Sequence, residues 1–307
     1  MEMNRENYFD LLWPNYTKLI GEGYLEKPIE WTFLFKEESS NSYAEKYREV
    51  NGLPRWGENK EGSAYNRAER SLGNEATIVN RRFDHSITVT WEYFSDNKEK
   101  VMGGQGVNGD AKGLGRGCRV AQEIETAEII NKGFEGGTIG YDGVTLFSTA
   151  HPLAEGKGTH ANTPASADDK ALTDANLKKA IIAMRGQVDN TAMKIQVNPD
   201  KLAVSADLYF TALTIVNSAL QAGTANNDKN VIGMVAPLTV KCMSYLNDGT
   251  WVLKDSSIDN LIFQWRERPE YGYERIQGTA DFLYWGRCRF GVGYRDWRGL
   301  YGVKVAK

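Results

Sequence analysis

Cysteine and histidine are scarce in this chain of 307 residues, with three of each, and the scarcity excludes much. Cys118, Cys242 and Cys288 are odd in number, widely separated and form no C-x-x-C pair, so a disulfide framework is not expected and a reducing compartment fits. They read as free, buried thiols. Long apolar runs are missing too, since no stretch approaches the ~18 residues needed to cross a bilayer. The start, Met1-Glu2-Met3-Asn4-Arg5-Glu6, is polar, so neither membrane insertion nor export by a standard signal is expected. An excess of one charge is also lacking. With 37 basic and 40 acidic residues the formal charge is -3, which argues against a chain whose main task is gripping nucleic acid but leaves room for a local basic face.

What is present is an ordinary apolar share, 41%, in a length that suits two or so domains. Aromatics reach 11%, with eight tryptophans clustered toward both ends, and 31 glycines punctuate the chain. That pairing suggests long strands, tight bends and broad aromatic contacts, within cores or between subunits. The organising stretch is Asp110 to Phe134. Val120, Ile124, Ala127, Ile130 and Phe134 keep the one-face spacing of a helix, with Arg119, Gln122, Glu123, Glu125 and Lys132 between them. Asp110 is placed to cap this helix and Gly133 to end it, over a length of ~30 Å. Gly113, Gly115 and Gly117 each lower helix propensity by about 1 kcal/mol relative to alanine, so the first turns are expected to fray or bend.

Before that helix the chain reads as extension. Tyr8, Phe9, Leu12, Tyr16 and Leu19 have a helical period, and Pro14 predicts a break into two short helices with Gly21 as the stop. Glu22 to Phe35 reads as an extended aromatic arm that packs on something outside itself, a neighbouring subunit being one candidate. Glu37 to Asn74 is polar with repeated turn signals. From Phe83 to Tyr93 the sequence alternates cleanly, predicting a strand of ~35 Å that pairs with the charged stretch before it as a long, projecting hairpin.

After the central helix, the apolar start of Val144 to Pro152 predicts a short strand, and Leu153 to Asp169 a long loop. Thr173 opens a helix with Leu177, Ile181, Met184 and Val188 on one face. Lys201 to Ser205 reads as a short buried strand, and Ser205 as the cap of a second helix stopped by Gly223. Val231 to Val240 reads as a strand and Met243 to Val252 as a hairpin turning at Asn247-Asp248-Gly249. Thr173 to Asp255 is thus a compact α+β module. In the closing stretch Phe282, Tyr284, Cys288, Phe290, Val292 and Tyr294 share a strand face with Gly286. Leu283, Trp285, Arg287, Arg289 and Arg295 take the other, which calls for pairing in a sheet beneath the central helix.

Candidate chemistry is thin. Gly104-x-Gly106-x-x-Gly109 matches a dinucleotide fingerprint by letter, but no hydrophobic strand precedes it and the expected acid falls inside the helix at Glu128. His151 and His160, with Asp142 near in sequence, suit Zn²⁺ by type, yet they lack the H-E-x-x-H pairing and a committed third ligand, so metal-free loop residues are expected. Ser148 has no G-x-S-x-G elbow. His85 reads as a packing or interface histidine, and Glu123 with Glu128, like Asp168 with Asp169, as solvated charge. No catalytic constellation emerges.

Four passages in order carry a family likeness. Gly52-Leu-Pro-Arg-Trp56 and Glu61-Gly-Ser-Ala-Tyr65 lead to Thr88-Val-Thr-Trp-Glu92; Gln122 to Phe134 leads to Tyr141 through Pro152; then come Ile195 to Tyr209 and Phe290 to Tyr301. As an ensemble over most of the chain these resemble the major capsid protein of tailed bacteriophages, with its Hong Kong 97-type fold. The resemblance implies an α+β fold with an N-terminal arm (1–47), an extended E-loop hairpin (48–96), a peripheral domain (97–168 and 260–307) with a spine helix at about 110–134, and an axial domain (169–259). It implies a structural protein, neither enzyme nor cofactor binder. Its copies would assemble through pentamers and hexamers into the icosahedral head shell of a tailed double-stranded DNA phage.

Its expected place is the virion, after assembly in the host cytoplasm and without a membrane. Scaffolding, decoration and portal proteins are the other expected partners, together with packaged double-stranded DNA held without sequence specificity. The glycine-rich start of the spine helix departs from the pattern. So does the lack of a long charged segment ahead of the arm, which leaves a separate scaffolding protein or prior removal of such a segment open. Subunit contacts are expected at Arg81, Arg82, Asp84, Trp91 and Glu92 and at the basic cluster Arg287, Arg289 and Arg295, near Arg298. The competing reading of that cluster is a solvent face balanced by Glu267, Glu270 and Asp281. Two rival functions are an encapsulin-like nanocompartment holding protein cargo and a cytoplasmic oligomeric metal-dependent hydrolase using His151 and His160.

Overall fold

Period-two sequence near the C-terminus and period-3.6 sequence at the centre build the frame, one long helix laid on one long pair of strands. The structure is a computed structural model that describes residues 5–50, 56–67, 72–90, 92, 107–136, 140–154, 156–220, 229–276, 278–279 and 281–305. The first half holds α1 (Arg5–Leu25), β1 (Lys36–Ser39), β2 (Ala44–Val50), β3 (Leu72–Val79), β4 (Arg81–Val89) and α2 (Val107–Asn131). The middle holds β5 (His151–Pro152), β6 (Thr159–His160), α3 (Asp174–Arg185), β7 (Lys201–Val204), α4 (Tyr209–Asn217), α5 (Ile232–Val235) and β8 (Thr239–Cys242). The chain closes with β9 (Thr250–Lys254), β10 (Leu261–Arg275), β11 (Phe282–Tyr294) and β12 (Leu300–Lys304).

Two four-stranded sheets result, in the orders β1-β10-β11-β4 and β12-β9-β7-β8, with β2-β3 as a separate hairpin. The alternation in β11 buries Phe282, Tyr284, Cys288 and Phe290 as expected. Their core is aromatic: Phe263 of β10 stacks on Trp31 at 4.1 Å and on Phe290 at 4.9 Å between ring centres. A second core joins Leu177, Ile181 and Met184 of α3 to Leu202, Val204, Trp251 and Val303 of the second sheet. Thr173 caps α3 by accepting from the Asn176 backbone N–H, as its position before the apolar run requires.

Several expected elements differ. α1 is one helix through Pro14 rather than two. The ~3 kcal/mol cost of an interior proline is offset by burying Tyr16 and Ile20 against α2 and the end of the first sheet. Residues 31–33 form a 3-10 turn instead of extended chain. The chain leaves the β2-β3 hairpin at Asn80, whose side-chain N–H groups donate to Ser40 Oγ at 2.8 Å and Ser42 O at 2.9 Å. Beyond that bend β4 joins β11, so the strand expected in the hairpin belongs to the first sheet.

Val144 to Phe147 forms no strand. Asn230 Oδ1 accepts from Ile232 N–H and turns 232–235 into a helical turn where a strand was expected. The turn at Gly249 (φ +75°) is present, but β8 and β9 flank β7 on opposite sides instead of pairing with each other. A strand as buried as β7 has partners on both edges. Gly104, Gly106, Trp91, Tyr93 and Gly223 lie outside the described residues.

Lys254, at the end of β9, is buried and its Nζ donates to Leu34 O. Burial, with Lys201 nearby, lowers its pKa from 10.5 to about 8. Below pH 8 both folded and unfolded chains carry the proton, and the fold bears the full desolvation cost, about 3 kcal/mol. As pH rises from about 8 toward 10.5 the folded chain sheds the proton first, so stability rises with pH over that window. Lys254→Met is therefore expected to gain about 2 kcal/mol at pH 7, the lost hydrogen bond offsetting about 1. That gain should shrink by pH 10 in denaturant titrations.

Candidate subunit interface

The apolar stripe of α2 faces the first sheet, but the opposite side is buried as well. Arg119, Gln122 and Glu123, read from the sequence as lying between the apolar positions, are all covered, as is Thr126, while Ile124 from the expected inner stripe is 38% exposed. The cover is the segment between α1 and β1. Glu123 accepts from Glu30 N–H at 2.9 Å, from Trp31 N–H at 3.0 Å and from Arg119 Nη2 at 2.9 Å. Burial raises the Glu123 pKa, opposed by those same partners. Tyr24 donates to Gln122 Oε1 at 3.1 Å, and Glu30 itself accepts from the Ser244 N–H and hydroxyl at 2.7 and 2.8 Å. The arm expected on a neighbour thus has its own docking site on this chain, because its backbone donors find a buried carboxylate there.

The hairpin β2-β3 is different. Lys46 and Arg48 pair with Glu75 across it, each at 2.8 Å, and its base is fixed by Tyr47 donating to Gln264 Oε1 at 3.1 Å under the Arg295 guanidinium. Beyond it, the 56–67 loop holds Trp56 and Tyr65 at 96% and 95% exposure. Large aromatics held in water are partner-seeking surface.

On the outer face of the first sheet, strand register aligns charges in two rows. Asp84, Arg287 and Glu270 lie side by side, as do Arg82, Arg289 and Glu267. Arg287 meets Glu270 at 2.8 Å, Arg289 meets Glu267 at 3.0 Å and Arg82 meets Asp84 at 2.5 Å. Of the contact residues expected from the sequence, Arg82, Asp84, Arg287 and Arg289 come together here. Arg81 instead pairs with Glu125 of α2, Arg295 with Glu38, and Glu92 is exposed. Arg298 is buried, held by Asp296 at 2.7 Å and by Val188 O at 2.9 Å, and stands apart from the cluster.

The histidines of the rival reading are structural in their contacts. His151 is buried and stacked on Trp297 at 4.3 Å, with Nδ1 2.6 Å from Asp142 Oδ2 and Nε2 3.1 Å from Asn162 Oδ1. Asn162 also donates to Leu146 O at 2.7 Å and accepts from Ser148 N–H at 2.8 Å, so this network pins the 144–152 stretch without strand pairing. His160 sits opposite His151 in the β5-β6 pair, its pKa lowered by burial and by Arg298. Among the described residues no group of three or more His, Cys, Asp or Glu could hold a metal, and no helix is long and apolar enough to cross a membrane.

A long helix along one sheet, a second sheet with its own helices, a docked arm and a projecting hairpin define the Hong Kong 97-type capsid fold. Solved structures agree. The capsid of Cyanophage P-SCSP1u matches with TM-score 0.58 and 12% identity over 92% of this chain and 89% of that one. The capsid of an empty GTA particle gives 0.55 and 11% over 94% and 97%. The procapsid of bacteriophage JBD30 gives 0.51 and 15% over 97% and 75%. No curated protein matches by sequence. The phage capsid protein family matches residues 127–303, and the Mu-like prophage major head subunit gpT family matches residues 13–170. The chain belongs to the phage capsid protein family and is a major capsid protein, whose copies form the phage head shell.

Proposed function

We propose that copies of this chain assemble through pentamers and hexamers into a closed icosahedral shell that encloses the double-stranded DNA of a tailed phage, with no catalytic step of its own. Residues 1–47 serve as the arm and 48–96 as the E-loop. Residues 97–168 and 260–307 form the peripheral domain, and 169–259 the axial domain, whose sheet is completed by β12. Assembly takes place in the host cytoplasm with scaffolding, portal and decoration proteins as partners. With a net charge of -3 any DNA contact is local, made by patches of basic side chains on the phosphate backbone and so without sequence specificity.

The observation that carries this reading is the 56–67 loop. Trp56 and Tyr65 have no cover from their own chain's described residues, and such surface is stabilised when another copy lies against it. The ionic rows offer a second contact, in which Arg82, Asp84, Arg287 and Arg289 exchange partners with a neighbour.

Negative-stain imaging of the purified chain is expected to show closed particles on the order of hundreds of ångströms wide. Small compact oligomers would overturn the proposal, and protein cargo in place of DNA inside particles from infected cells would favour the nanocompartment. Arg287→Glu combined with Arg289→Glu is expected to leave the chain folded in thermal melts, since the Arg287–Glu270 pair is exposed and the Arg289–Glu267 pair only half-buried. Particle yield should nonetheless fall about tenfold or more, because like charges would then face each other across the contact. Unchanged yield removes this face from the interface.

A further inference from the structure

Cys118 of α2 and Cys288 of β11 meet where the long helix lies on the first sheet, their sulfur atoms 3.7 Å apart and both thiols free. They are 170 positions apart in sequence. Both line a partly open cavity of about 320 Å³, together with Leu114, Tyr271 and Gly286 and with Arg82, Asp84 and Arg287. A pair of thiols serving only as packing needs no such opening. The surroundings also make the two sulfurs unequal. Contact with the Cys288 thiol lowers the Cys118 pKa, helped by Gln122 Nε2 at 3.5 Å, by the Tyr271 hydroxyl and by the charge of Arg119, while burial opposes the shift. The same contact and burial raise the Cys288 pKa.

We propose that Cys118 and Cys288 form a reversible disulfide by exchange with a small, water-soluble disulfide that enters through this cavity, stapling the long helix to the sheet. Cys118 as thiolate attacks one sulfur of the small disulfide, whose other half leaves as a thiolate and takes up a proton. Cys288 then loses its proton and attacks Cys118 Sγ, expelling the second half. Two protein thiols are oxidised to one disulfide, and one small disulfide is reduced to two thiols by the same two electrons and two protons. The sulfurs must close from 3.7 Å to about 2.05 Å, and the adjoining cavity leaves room for the side-chain rotation this needs. The capsid reading proposed above supplies the setting. Thiols persist while the chain folds and assembles in a reducing cell, and the bond forms once the particle reaches an oxidising medium.

The test uses folded, full-length protein, as particles and as unassembled chain, treated with oxidised glutathione. The expected result is a loss of about 2 Da from the intact mass, a single linked peptide pair containing Cys118 and Cys288, and a thermal midpoint raised by about 5 °C or more, reversed by reductant. Cys118→Ser and Cys288→Ser should each abolish the mass loss and the shift. Cys242→Ser, on β8 in the other sheet, should keep both. Glutathione retained on Cys118, or three thiols still titratable after unfolding without reductant, would overturn the proposal. Because these readouts come from mass and melting, they stand apart from imaging, so failure of the crosslink and failure of shell assembly are separately visible.

Discussion

Glu123→Ala is expected to lower stability by about 3–5 kcal/mol and to release the arm. The carboxylate does three jobs at once, accepting from the backbone of Glu30 and Trp31 and neutralising Arg119. Its removal leaves a buried guanidinium whose remaining oxygen partner is Gln122 at 3.3 Å, together with a buried Trp31 N–H and a half-buried Glu30 N–H that lose their acceptor. Trp31 would also lose the tether that holds it flat on Phe263. Urea titration measures the stability, and limited proteolysis near Pro28 reports the release. A loss below about 1 kcal/mol with unchanged cleavage would mean that the aromatic contacts hold the arm by themselves. Glu123→Gln, which keeps acceptor capacity, should cost less.

The second large effect concerns the glycines at the start of α2. A Cβ on Gly115 would lie 2.9 Å from Tyr24 N and closer still to Ile20 O, and one on Gly23 would lie 2.8 Å from the Lys112 carbonyl carbon. The two helices cross backbone to backbone there, and neither main chain can yield without giving up hydrogen bonds. Gly115→Val is expected to cost about 3 kcal/mol by overpacking. Among the described residues nothing lies within 4 Å of a Cβ on Gly113 or Gly117. Alanine at those two positions should raise stability by up to about 1 kcal/mol each through helix propensity alone. Thermal melts of the three variants check the contrast, and equal behaviour would remove the close crossing as the reason for Gly115.

That contrast marks where the sequence stops being readable. Spacing in Phe282 to Tyr294 and Val120 to Phe134 named the sheet and the helix, because a stripe of apolar residues reports its own burial. Glu267 and Glu270 were legible as balancing charge for the arginine cluster, but their pairing with Arg289 and Arg287 was not, because the register shifts on either side of Glu267. The buried role of Glu123 was hidden. A charged side chain four residues after an arginine looks like an ordinary exposed pair, and the segment that covers it lies 92 positions away, at Trp31. The three glycines looked like weakness in a helix for the same reason, since only the crossing helix gives one of them its purpose. Asn80 likewise ended one pairing and began another just ahead of the alternation that starts at Phe83, and period alone does not say which partner such a strand takes.

The passage from β11 to β12 has a mechanical consequence. Tyr294 ends a strand of one sheet and Leu300 begins a strand of the other, and between them Trp297 and Arg298 are buried. Swinging one sheet against the other about this link would therefore have to draw Trp297 or Arg298 out of its packing, which makes the link a costly place for a hinge.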